Sequence, residues 1–173
     1  MRSQSDSTQS STGVEMLWAP FETRHGRGWI GWVMAGPIER LVLPGQPMPA
    51  GIETAPPTQI DRLMHRLSAY FNGSGKWPAG DRFLPAAAST AFDAAVYRIV
   101  TAIPVGATMS YSEVAARAGR PGAARAVGAA MAKNRFAPMI PCHRVIGSDG
   151  SLRGYAGGLP MKQTLLEMEA ADG

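Results

Sequence analysis

Ser110-Tyr111-Ser112-Glu113-Val114-Ala115-Ala116-Arg117-Ala118-Gly119-Arg120-Pro121 runs into Gly122-Ala123-Ala124-Arg125-Ala126-Val127-Gly128-Ala129-Ala130-Met131-Ala132-Lys133-Asn134. The stretch reads as two short helices joined by a tight turn. Ser110 and Glu113 stand three apart, as a capping box requires at a helix start. Gly119 ends the first helix and Pro121 opens the second, which runs to Asn134. Two such helices around a glycine-containing turn make a helix-turn-helix pattern. On the second helix Val127, Ala130 and Met131 share a face that suits a core. Arg125, Gly128, Ala129 and Ala132 share the opposite face, small except for one long cation. Small side chains let a helix backbone approach a duplex closely, and the arginine then projects furthest. A plain alanine-rich packing helix with a surface arginine fits the pattern as well, and taken alone the pattern slightly favours it.

Working outward, Thr90 and Asp93 start another helix. Its apolar face is Phe92, Val96, Ile99, Val100 and Ile103, and Pro104 stops it. Further upstream, Glu15–Ala19, Gly28–Ala35 and Ile38–Leu43 read as short strands rich in Trp, Ile, Val and Leu. Pro44 to Pro57 carries five prolines and two glycines and is a loop. Thr58–Phe71 is a helix: Ile60, Leu63, Met64, Leu67 and Phe71 share one face, with Thr58 and Asp61 as its start signal. Asn72 to Ala88 is a linker. Downstream, Ser148–Ser151 is a turn, Gly154–Gly158 a flexible loop, and Pro160 starts a last helix through Glu169. The expected fold class is α/β (α+β). A disordered tail (1–13) precedes a small amino-terminal sheet-and-helix domain with its linker (14–88). A mostly helical domain (89–173) carries the helix-turn-helix and the only cysteine.

The chain has 173 residues, 45% of them hydrophobic, enough for a real core in one compact domain or two small ones. The Ser/Gln/Thr-rich start has no apolar run, so it reads neither as a signal peptide nor as a membrane helix. No stretch is long and apolar enough to cross a bilayer, which points to a cytoplasmic protein. The formal charge is +4. Between Arg98 and Arg153 eight basic residues face only Glu113 and Asp149, a local excess of +6. Such a patch favours a polyanion, nucleic acid first. On charge alone, an ordinary solvated surface stands about equal.

Cys142 lies in Ile140-Pro141-Cys142-His143-Arg144-Val145, read as a buried short strand stiffened by Pro141. One cysteine forms no internal disulfide and no cysteine-rich zinc site, and three scattered histidines lack metal-ligand spacing. His25 and His65 read as surface residues. Positive charge and a proton acceptor beside a thiol lower its pKa from about 8.5 and make it a better nucleophile. Neighbours on a strand point to opposite faces, so His143 cannot sit directly on the sulfur. A water or a backbone kink has to connect them. An orienting carboxylate would come from Glu113, Glu167 or Glu169.

Pro141-Cys142-His143-Arg144-Val145 resembles the active-site motif of the O6-alkylguanine-DNA alkyltransferases. Ile103-Pro104-x-Gly106, Ser110-Tyr111, Ala123–Gly128, Asn134, Tyr155-x-Gly157-Gly158 and Lys162–Glu169 fall at that family's spacings. The match is strong over about Phe92–Glu169. It is loose amino-terminally, covering the strands of Gly28–Leu43 and the helix end Leu67–Phe71. The resemblance implies one direct transfer of an alkyl group from guanine O6, with O4-alkylthymine a further substrate, to the Cys142 sulfur. Each molecule reacts once, without cofactor or metal. It implies activation of Cys142 through His143, a water and Glu169, and Tyr111 as proton donor to guanine N3. Asn134 would brace the helices, and Arg125 would fill the gap left by the extruded base. The minor groove of alkylated double-stranded DNA would meet Ala124, Gly128, Ala129, Lys133 and Arg135. Met131, Val145, Tyr155, Ala156 and Gly157 would form the base pocket, with the Val145 carbonyl accepting from the exocyclic amine. A monomer, nucleoid-associated if bacterial, is implied.

The chain departs from the family's pattern in places. Ala156 replaces a frequent Ser or Gly, Tyr97 a common Trp, and Asn134–Pro138 a more proline-rich run. The residue types for the zinc site of some members are missing. The alternative is an alkyltransferase-like protein that binds alkylated DNA without transfer; such proteins lack the cysteine. A helix-turn-helix regulator with a structural cysteine and an unrelated Cys-His hydrolase stand further off.

Overall fold

A computed structural model describes residues 15–34, 36–74, 76–77 and 87–171. The tail expected over 1–13 lies outside the described residues, as does most of the expected linker. Strand β1 (Met16–Thr23) turns through Arg24-His25 into β2 (Gly26–Val33), in register Met16↔Val33 to Thr23↔Gly26. Gly26 sits at φ +101°, a value open to glycine at little strain, and closes the hairpin. Strand β3 (Ile38–Val42) pairs antiparallel with β2, and the two-residue β4 (Ile52–Glu53) runs parallel to β1. The sheet order is β3-β2-β1-β4.

Helix α1 (Thr58–Phe71) covers the sheet with Ile60, Leu63, Leu67, Tyr70 and Phe71 buried; Phe71 stacks on Phe21 at 6.0 Å. Its extent is the one read from the apolar spacing, but its start signal is not. Pro57 occupies the N-cap and no side chain caps the helix, because Thr58 is already its first helical residue.

Helix α2 (Ala91–Thr101) is capped by Thr90, whose hydroxyl accepts from the Asp93 amide at 3.0 Å. Helix α3 (Tyr111–Arg117) carries both halves of the capping box: Ser110 Oγ accepts from Glu113 N, and Glu113 Oε2 accepts from Ser110 N. Helix α4 (Ala124–Ala132) starts later than Pro121, since Gly122 takes φ +87° and extends the turn. A short parallel ladder joins β5 (Met109–Ser110) to β6 (Val145–Ile146). It ties the start of the helix-turn-helix to the end of the cysteine segment. Helix α5 (Gly158–Ala171) closes the chain.

The buried core is continuous from the sheet through α1 into α2, α3, α4 and the cysteine segment. The edge of β3 is held to the segment after α4 by Leu41 N donating to Arg135 O at 2.7 Å. Among the described residues no helix is long and apolar enough to cross a membrane, and no His/Cys/Asp/Glu cluster could hold a metal.

Candidate active site

Cys142 is not on a strand. Residues Cys142–Arg144 form a single 3-10 turn, and β6 begins only at Val145. Pro141 (ψ 63°) breaks the extended course, and Arg144 N donates to Pro141 O at 2.9 Å. The turn removes the strand alternation that separated Cys142 from His143. Both are buried, with Cys142 6% exposed at the floor of a cavity of about 570 Å³.

Asn134, just past α4, reaches over this turn. Its Nδ2 donates to Ile140 O at 2.9 Å and to Cys142 Sγ at 3.2 Å, while its Oδ1 accepts from Phe136 N at 2.9 Å. One side chain therefore joins the end of α4, the cysteine segment and the sulfur. Burial pushes the Cys142 thiol above its ordinary pKa; the Asn134 amide and the Lys162 ammonium pull it down by less. At rest the thiol is protonated.

His143 turns away from solvent into a buried carboxylate. Its Nε2 lies 3.0 Å from Glu169 Oε1. An ionised carboxylate only accepts, so Nε2 carries the hydrogen and Nδ1 keeps a lone pair. That Nδ1 is buried with no hydrogen-bond partner. Burial lowers the His143 pKa, with Glu169 pulling it up by less, so the ring is neutral at rest. Glu169 also takes Arg144 in a fork: Nε to Oε2 at 2.8 Å and Nη2 to Oε1 at 2.7 Å. Burial alone would raise this carboxyl; the bonds from His143, Arg144 and Tyr70 outweigh it and hold its pKa down to about 2. Of the three carboxylates considered, only Glu169 reaches the site. Glu113 caps α3, and Glu167 is exposed and bonds Gln163.

Arg144 is fully buried, so the charge count over 98–153 overstates the basic surface. Besides the Glu169 fork it donates to Ile103 O at 2.6 Å and stacks 4.2 Å from the Trp77 ring. Lys162, also fully buried, donates to Val145 O at 2.7 Å and Arg153 O at 3.0 Å. It pins the loop after β6 onto the active segment. Val145 itself is buried and does not line the cavity; its carbonyl holds Lys162 and has a second lone pair to offer.

The cavity walls are Tyr111, Ala124, Arg125, Gly128, Met131 and Ala132 on the helix-turn-helix side and Arg153, Gly154, Tyr155 and Ala156 on the loop side. Arg125, Ala129 and Ala132 are exposed on the outer face of α4. Gly157 is not part of the wall: a Cβ there would meet Leu43 Cδ1 at 2.8 Å, so this glycine lets the loop lie on the amino-terminal unit. Lys133 and Arg135 line a separate groove of about 620 Å³ beside Arg40, paired with Asp93 (3.4 Å) and Glu39 (3.6 Å) respectively. Tyr97 is fully buried and donates to Ala130 O at 2.7 Å, a packing role in place of a larger indole. Phe136 is fully buried. Tyr111 is raised in pKa by burial and then by Cys142, so its hydroxyl keeps its proton.

Sequence reasoning missed Tyr70, Trp77, Arg153 and Gly154. Tyr70 and Trp77 lie in the amino-terminal half, far from the cysteine in the chain; Tyr70 falls in the loosely matching Leu67–Phe71, but nothing there points to a site role. Gly154 belongs to the expected Gly154–Gly158 loop and Arg153 directly precedes it, yet no signal in the sequence sets either in the cavity wall.

A buried thiol, a neutral histidine on an ionised glutamate, and two short helices joined by a tight turn meet around one cavity, the arrangement of a cysteine-centred active site. The family model described as "6-O-methylguanine DNA methyltransferase, DNA binding domain" matches residues 91–171. The methylated-DNA--protein-cysteine methyltransferase of Salmonella typhimurium is 44% identical over 119 residues, covering 69% of this chain and 68% of that protein. The protein of that name from Mycolicibacterium paratuberculosis is 46% identical over 116 residues, covering 67% and 68%. Among solved structures, the O6-methylguanine methyltransferase of Mycobacterium tuberculosis superposes with TM-score 0.71 at 29% identity, over 91% of this chain and 94% of that one. The same bacterium's OGT in complex with DNA gives 0.72 at 32%, over 90% and 93%. The chain belongs to the methylated-DNA–protein-cysteine methyltransferase family.

Proposed function

We propose that this protein repairs O6-alkylguanine in DNA by taking the alkyl group onto its own Cys142, once per molecule. The observation that carries this reading is the buried Cys142 sulfur at the cavity floor, 3.2 Å from Asn134 Nδ2, with the neutral His143, next in the chain, held on the ionised Glu169. His143 Nδ1 takes the thiol proton through a water, and Glu169 stabilises the imidazolium. The thiolate attacks the alkyl carbon. The S–C bond forms as the C–O6 bond breaks, and the electron pair leaves on the guanine. Tyr111 gives its hydroxyl proton to guanine N3, which neutralises the leaving anion, and the proton that left the thiol onto His143 balances the tyrosinate and returns to it through water. The donor is the alkylated base itself, so the step needs no metal or cofactor. The thioether persists, so the protein is consumed.

A base inside a duplex cannot reach Cys142. Extruding it costs a few kcal/mol, less for a damaged base that pairs poorly. Arg125, exposed at the cavity rim, fills the vacated stack, and the small face of α4 at Ala124, Gly128 and Ala129 enters the minor groove. Met131, Tyr155 and Ala156 hold the flipped base, and the Val145 carbonyl takes its exocyclic amine. Affinity comes largely from phosphate contacts and falls with salt. The carboxy-terminal unit, 89–173, carries DNA contact and chemistry; the amino-terminal unit, 14–88, supports it. The protein works as a monomer in the cytoplasm, on the nucleoid if the cell is bacterial.

The resting state suits single use. A thiol kept protonated by burial is spared from stray electrophiles and becomes a thiolate only when a base fills the cavity. Cys142→Ser tests the reading: transfer is expected to vanish while binding to duplex carrying O6-methylguanine persists. Repair by the serine variant at the wild-type level would contradict it.

A further inference from the structure

Helix α1 belongs to the amino-terminal unit, yet its penultimate residue reaches the active site. Tyr70 is 4% exposed, and its hydroxyl donates to Glu169 Oε1 at 2.6 Å, across 99 residues of chain. That oxygen is the one His143 uses. Phe71, next in the chain, is stacked on Phe21 of β1, so the hydroxyl is positioned by the packing of α1 on the sheet. Trp77 makes a second contact from the same side, lying over the Arg144 guanidinium that grips the other edge of Glu169.

We infer that Tyr70 is a positioning residue for the alkyl transfer: its hydroxyl, supplied by the amino-terminal unit, fixes the Glu169 carboxylate that orients His143. The inference rests on the transfer function proposed above. Two physical effects follow. The hydroxyl blocks rotation of the carboxylate about its fork with Arg144, which keeps the imidazole in the tautomer with Nδ1 open. It also draws electron density from Oε1, which limits how strongly Glu169 stabilises imidazolium. Around this pair the other charged or titratable groups are Arg144 from the 3-10 turn, Lys162 from α5, Tyr155 from the closing loop and Cys142. None of them donates to Glu169 Oε1 except Arg144. A docked sheet layer is thereby linked to an activated thiol.

The test is Tyr70→Phe in the full-length protein, which keeps the ring and removes only the hydroxyl. Single-turnover transfer is measured against pH with two donors: duplex carrying O6-methylguanine, and O6-benzylguanine as free base. Melting temperature and duplex affinity are recorded beside them. Both transfer rates are expected to fall by about tenfold at neutral pH, a small part of the roughly 10²–10⁴-fold that a positioned general base contributes. Duplex affinity stays unchanged, because Tyr70 lies under the site. With the hydroxyl gone, Oε1 holds the His143 proton more strongly, the imidazole is protonated at higher pH, and the acid limb of the profile moves up. A rate that is unaltered, or one that drops with the acid limb in place, overturns the positioning role. A wild-type protein that takes up no alkyl group overturns the function and the inference together. Normal wild-type transfer beside an unaltered variant overturns the inference alone.

Discussion

Asn134→Ala removes the amide that joins three backbone and side-chain groups, and each loss can be weighed. Phe136 N, in a buried residue, loses the acceptor that Asn134 supplies, while Ile140 O loses one donor and keeps the Cys142 N–H at 2.8 Å. Removing one partner of a buried hydrogen bond costs about 1–3 kcal/mol, so the change at Phe136 N costs about 2 kcal/mol. For a chain of this size that lowers the melting temperature by about 6 °C. The sulfur loses a donor at 3.2 Å, the foremost influence opposing burial on its pKa, so the thiol titrates higher still. A hydrogen bond to a charged group contributes about 1.5–3 kcal/mol, or roughly ten- to hundredfold in thiolate population at a given pH. The variant should therefore melt well below wild type and transfer at least about tenfold more slowly. Asn134→Asp separates the two effects. It keeps an acceptor for Phe136 N but sets a carboxylate against the sulfur, so rate suffers more than melting. Calorimetry and single-turnover alkyl transfer read both. An alanine variant that melts like wild type and transfers at its rate would refute this account of Asn134.

Gly128→Ala tests the close approach of α4 to DNA. An added methyl meets only Tyr111 Cε1 at 4.0 Å, so it fits, and alanine in a helix interior stabilises by about 0.5–1 kcal/mol. The variant should melt slightly higher yet bind duplex more weakly in a salt titration; equal or tighter binding would remove the small face from the interface. Acid stability tests the buried pair. The folded pKa of His143 is lowered, so its contribution is lost as pH falls below the ordinary histidine value of 6.5 and the unfolded ring takes a proton. Glu169 is lowered from 4.5 to about 2, worth about 3 kcal/mol above that range and lost as pH falls through it. Glu169→Gln should flatten the lower window of a pH-dependent melting curve and extend the upper one, since the carboxylate that pulls the His143 pKa up is gone; an unchanged lower window would count against the fork.

Local chemistry was readable where short-range rules decide. The apolar spacing of Ile60, Leu63, Leu67 and Phe71 marks the whole of α1, and Ser110 with Glu113 marks the start of α3. Boundaries slipped where a special backbone intervened: Gly122 at positive φ delays α4, and Pro141 converts an apolar run into a 3-10 turn. That turn replaces the strand expected at Cys142 and His143, while His143 Nε2 goes to Glu169 and its Nδ1 makes no hydrogen bond to the sulfur. Arg144 counts as surface charge in a sequence, yet it is fully buried in a fork with Glu169. The contribution of Tyr70 was illegible, since a contact between residues 99 apart leaves no trace in spacing or composition. The family resemblance pointed to Glu169 but not to what holds its carboxylate in place.

The central claim is that Cys142 is a stoichiometric acceptor. Incubation with duplex bearing O6-methylguanine, followed by intact-mass and peptide analysis, tests it most directly. The expected result is a gain of one methyl per molecule, carried on Cys142, with unmodified guanine restored in the DNA and no second turnover. Tight binding to the damaged duplex with unchanged protein mass would contradict the claim.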